Sequence, residues 1–136
     1  MVSHLGNPAD GGRPYPISER AIDFLTKPRY SNGKYSGINF NGMVIVDDVS
    51  MRGIVDYVSQ EKNLTNNEQN LLRGVSSLES KAAILALNSG VHAIIATNSD
   101  VGKIVDDIAY VYRTNSSFRN KVHNAINKYQ DFVKKK

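Results

Sequence analysis

The sequence predicts an α/β chain in which short parallel strands alternate with helices. Three observations carry that prediction. Two brief apolar runs, Met43-Val44-Ile45-Val46 and Val91-His92-Ala93-Ile94-Ile95-Ala96, are nearly continuous rather than alternating, as in strands covered by helices on both faces. Segments with helical spacing and capping residues lie before, between and after them. The first run also breaks straight into Asp47-Asp48-Val49-Ser50-Met51. That break puts two carboxylates directly beyond a strand, at the end where α/β sheets and barrels place their chemistry.

Taken in order, Met1 to Leu5 is short and apolar and reads as a strand. Gly6 to Pro16 holds three glycines and three prolines and reads as a loop. Ser18 is the expected N-cap of a helix with Ala21, Ile22, Phe24 and Leu25 at helical spacing, and Pro28 stops it. Arg29 to Asn39 is a polar loop leading into the first apolar run. Met51 to Val58 forms a helix with Ile54, Val55 and Val58 on one face. Ser59 to Asn70, dense in Asn, Gln and charge, reads as a flexible insertion. Leu78 to Leu87 is a further helix, ended by Gly90, and Val91 to Ala96 is the next strand. Asn98-Ser99-Asp100 caps a helix from Val101 to about Tyr112. After Asn115-Ser116-Ser117 a last helix runs from Phe118 to about Val133. Strands that alternate with helices are joined by right-handed crossovers, and here both outer strands would be unprotected edges.

A chain of 136 residues with 40% hydrophobic and 22% charged content suits one compact domain. With no cysteine, disulfides, thiolate chemistry and cysteine-ligated zinc are excluded. The formal charge of +4 does not make a nucleic-acid surface, because Lys134-Lys135-Lys136 supplies three of the positive charges and the rest are scattered. The apolar runs are far too short to span a membrane. The N-terminal residues lack the basic region and apolar core of a signal peptide, so a cytoplasmic location is expected for the chain as it stands.

From the residues alone, Asp47 and Asp48 admit three uses. They can serve carboxylate chemistry at a strand end, or Asp48 or Ser50 can cap the following helix. They can also act as oxygen ligands for Mg²⁺ in a small α/β domain, although no Gly-rich phosphate loop or Gly-Lys-[Ser/Thr] element accompanies them.

Phe40-Asn41-Gly42-Met43-Val44-Ile45-Val46-Asp47-Asp48-Val49-Ser50-Met51 resembles the nucleophile segment of the family 3 glycoside hydrolases, closest to their β-N-acetylhexosaminidase branch. Met1 to Leu5 looks like the preceding barrel strand, and Pro14-Tyr15-Pro16-Ile17-Ser18 like the loop into the next helix. Leu78 to His92 looks like the helix-Gly-strand segment entering the last strand. The resemblance implies a partial (β/α)₈ TIM barrel: the last three βα units with parallel strands plus a C-terminal helix, as a single incomplete domain over residues 1–136. It implies a retaining glycosidase of N-acetylglucosaminides, muropeptide or chitobiose-like, that needs no cofactor and no metal.

Under that resemblance Asp47 is the nucleophile, and Met51 and His4 lie by the sugar. Asp48 is a neighbour that orients the loop or accepts backbone N–H groups. The family's acid/base histidine would lie on a loop after an earlier strand, and none of His4, His92 or His123 sits in a matching segment. His92 stands where the family usually has Asp. The implied partners are a carbohydrate substrate and a complementing barrel fragment or a second copy, with neither nucleic acid nor membrane. The alternative function is a non-catalytic barrel remnant or sugar-binding fragment.

Overall fold

The computed structural model describes residues 6–31 and 34–134, a mixed arrangement of helix and short two-stranded sheets. The strand expected over Met1 to Leu5, with His4, lies outside the described residues. From Gly6 to Pro16 the chain is more ordered than a loop. Strands β1 (Gly6–Asn7) and β2 (Arg13–Pro14) pair antiparallel, and the turn between them begins where Asn7 Oδ1 accepts the N–H of Ala9. Helix α1 (Glu19–Thr26) starts at Ser18, whose hydroxyl accepts the Ala21 N–H at 3.1 Å. It ends before Pro28, as expected, since proline's ring clashes with a preceding helical turn.

Arg29 to Asn39 departs from the expected loop: β3 (Arg29–Ser31) and β4 (Lys34–Ser36) form an antiparallel hairpin. Strand β5 (Ile45–Asp48) then lies two residues later than the apolar run suggests. The carboxylates are its last residues, not the first beyond it. Helix α2 (Arg52–Ser59) buries Ile54 and Val58. Its N-cap position is held by Met51 without a side-chain bond, so Ser50 does not cap it. The physical reason is that Asp48 already takes the Ser50 N–H, and this turn sets Met51 one residue closer to the helix.

The segment from Ser59 to Asn70 is not a flexible insertion. A single 3₁₀ turn (Glu61–Asn63) leads into α3 (Asn66–Leu71), where Thr65 and Glu68 form a reciprocal capping box. Leu64, Leu71, Leu72 and Val75 are buried, and their burial anchors the segment in spite of its polar composition. Helix α4 (Leu78–Ser89) follows, with Ser77 as N-cap. Gly90 closes it at φ 103°, a left-handed conformation that suits glycine.

Strand β6 (Ala93–Ile95) pairs parallel with β5, so the two apolar runs do meet as a parallel pair. Helices α5 (Val101–Thr114), capped by Asp100, and α6 (Ser116–Lys134) complete the chain. Helix α6 begins two residues earlier than expected, and Asn115 caps it by accepting the Phe118 N–H.

Helix α4 is buried along almost its whole length, from Ala82 to Leu87, as befits a helix that is apolar all round. It packs against α1, α2, α5 and α6. Val46, Val49, Val91, Ile104, Val111 and Phe118 join it in one core. Among the described residues no helix is long and apolar enough to cross a membrane.

Candidate functional site

The parallel ladder between β5 and β6 changes step at the carboxylates. Ile45 pairs with Ala93 and Val46 with Ile94, but Ile95 pairs with Asp48. Asp47 is therefore one residue too many, a bulge in β5. Bulges break the alternation of side chains and re-aim the extra residue. The ladder resumes beyond it, where the Val49 N–H donates to the Ile95 carbonyl at 3.1 Å.

The two adjacent carboxylates differ in their hydrogen bonds. Asp48 is engaged on both oxygens: Oδ1 accepts the Ser50 N–H at 2.9 Å, and Oδ2 accepts the Thr97 hydroxyl. The Thr97 bond holds the Asp48 carboxyl below its ordinary range; partial burial opposes it and the Ser50 N–H adds to it. Bonds to the charged form favour that form, so Asp48 is a fixed anion that ties the end of β5 to the segment beyond β6. Asp47 is half-buried, and its Oδ1 accepts the N–H of Asp48 at 2.9 Å. Among the described residues its Oδ2 accepts no hydrogen bond, leaving an oxygen for a ligand or a reacting atom.

Met51 follows within the same turn, its N–H donating to the Asp48 carbonyl at 3.1 Å, and its side chain is partly exposed. Asp47, Asp48 and Met51 are thus brought to one strand end. His4 lies outside the described residues. Thr97 was not singled out by sequence reasoning. Its signal was the one that marked Asp47, a polar residue just past an apolar run.

The two described histidines are occupied elsewhere. His92 precedes β6, so a strand of three residues, about 10 Å of rise, separates it from the carboxylate end. Its Nδ1 accepts the Val44 N–H at 2.9 Å, and its own N–H donates to the Val44 carbonyl at 2.9 Å. The His92 ring thus supplies an acceptor to the strand. Burial first, and Lys128 second, push its pKa below the ordinary histidine value. His123 Nε2 lies 2.6 Å from the Tyr112 hydroxyl. Among the described residues no three His, Cys, Asp or Glu side chains are grouped to hold a metal ion.

Comparison of the chain with protein-family models, with curated proteins and with solved structures returned no match.

Proposed function

We propose that the chain is the C-terminal part of a family 3-type (β/α)₈ barrel and that Asp47 is the nucleophile of a retaining β-N-acetylhexosaminidase-like glycoside hydrolase. The observation that carries this reading is Asp47 Oδ2, which accepts no hydrogen bond among the described residues, at the C-terminal end of a parallel strand and beside an Asp48 whose oxygens are both bonded. A retaining glycosidase needs an ionised carboxylate to attack the anomeric carbon and a second group to protonate the leaving oxygen. Asp48 does not suit the second task, because a carboxyl held below its ordinary range has no proton to give at neutral pH. It suits instead the task of holding the turn that carries Asp47. Met51 and His4 would line the sugar pocket, and the substrate would be an N-acetylglucosaminide of muropeptide or chitobiose-like form. The remaining strands and the proton donor would come from a complementing fragment or a second copy.

A non-catalytic barrel remnant is the second reading. It is favoured by the histidines, since His92 is bonded at the far end of the strand and His123 to Tyr112. Release of a fluorophore from a β-N-acetylglucosaminide by the purified chain tests the enzyme reading. Turnover that falls at least about 10³-fold in Asp47→Asn supports the enzyme. No turnover from a folded preparation means a remnant or a half-barrel awaiting its partner.

A further inference from the structure

At the opposite end of β5 from the carboxylates, residues 40–42 and α6 face each other across an open cleft of about 300 Å³. One wall is aromatic. Phe40 is 48% exposed, and its ring lies against Gly42: a Cβ added there would stand 2.2 Å from Phe40 Cζ. Glycine lets the ring lie that close to the backbone, which leaves an aromatic plate at the surface.

The other walls are polar and already oriented. Lys128 Nζ donates to Asn41 Oδ1 at 2.7 Å, which leaves the Asn41 amide nitrogen to donate elsewhere. The bond from the Val44 N–H fixes the neutral His92 ring with its proton on Nε2, the side away from the strand. Asn127 on α6 adds both a donor and an acceptor, and Asp131 adds an acceptor. The charges of Lys128 and Asp131 cancel, which disfavours a small anion and a small cation alike.

We propose that this cleft binds an uncharged saccharide ring, with its C–H face on Phe40 and its hydroxyls against Asn41, His92 and Asn127. A pyranose has one apolar face and a rim of groups that each donate and accept, and the cleft supplies one aromatic face and a mixed set of donors and acceptors. The site is separate from Asp47 and stands whether or not the chain is a glycosidase.

The test is a ¹H–¹⁵N titration of the chain with methyl β-D-glucopyranoside, and with inorganic phosphate as the charged counterpart. Saturable shifts are expected at Asn41, Gly42, His92 and Asn127. Phe40→Ala weakens binding about tenfold, Phe40→Tyr restores it, and Asp47→Asn leaves it unchanged. The same spectra report whether each variant is folded, and half-exposed Phe40 is not needed for the core. Absence of saturable shifts at these residues overturns the proposal. So do shifts confined to residues 47–51, binding of phosphate in place of the sugar, or a folded Phe40→Ala that binds as tightly as the parent.

Discussion

Thr97 donates its hydroxyl to one oxygen of Asp48 while Ser50 donates its N–H to the other, and that supply of protons separates Asp48 from Asp47. A carboxyl whose folded pKa is depressed stabilises the fold above its unfolded pKa, near 4, and that contribution is lost as pH falls through the folded value. Thr97→Val removes the largest cause of the depression. It is expected to raise the Asp48 pKa toward the ordinary value in a carboxyl NMR titration. At pH 7 it costs about 1 kcal/mol or less, because the bond is solvent-exposed, and the difference from the parent closes below about pH 4.

His92 has the same sign with a different cause. Burial and Lys128 depress its pKa, so the unfolded chain takes up a proton more readily than the folded one. Stability is full above about pH 6.5 and declines as pH falls from there through the folded value. Protonation also ends the acceptance of the Val44 N–H. Melting temperatures measured from pH 7.5 to 5 should fall, and His92→Asn, which keeps an acceptor but takes up no proton, should flatten the slope.

Among the elements, α3 depends on one carboxylate with two duties. Glu68 Oε2 accepts the Thr65 N–H that closes the capping box, and the same side chain pairs bidentately with Arg13. Both partners are nearly buried, and the Arg13 guanidinium lies 5.7 Å over the Tyr57 ring. Burial pushes the Glu68 carboxyl up, but the bonds from Arg13 and Thr65 outweigh it and hold the pKa below its ordinary value. Glu68→Ala strands a nearly buried guanidinium and opens the cap. It should cost about 3 kcal/mol in urea unfolding, against about 1 kcal/mol for Thr65→Ala, which loses only the cap.

This element also shows where sequence reading failed. Helices marked by a local cap, at Ser18, Asp100 and Gly90, could be read directly from neighbouring residues. Thr65 and Glu68 carry an equally local signal, but the Asn and Gln around them masked it. The anchors Leu71, Leu72 and Val75 and the partner Arg13 are distant or irregularly spaced. Likewise the break after Val46 exposed Asp47, whereas a one-residue slip in the ladder leaves no trace in composition. The Thr97–Asp48 bond spans 49 residues and is set by the pairing of two strands.

For the whole molecule, the parallel pairing of the two apolar runs was legible from their nearly continuous apolar character. The expectation that helices cover both faces does not hold: β6 contains no buried residue and Ile95 is 36% exposed, because the sheet has only two strands among the described residues. The closing helix α6 contributes Phe118 at 0% exposure, in contact with the core built on α4. Phe118→Ala is expected to cost about 3–5 kcal/mol, read as a lower midpoint in urea with an unchanged slope. That is a large share of the stability of a small domain.

Helix α4, apolar on every side, raises a different issue. Burial holds such a cylinder in place but gives it little reason to prefer one rotation about its axis over another. The Ser89 hydroxyl, shared between the carbonyls of Ala86 and Pro16 at 2.7 and 2.8 Å, works as a key in a lock barrel. It indexes the helix to the turn before α1, and every neighbour that packs on α4 inherits that angle.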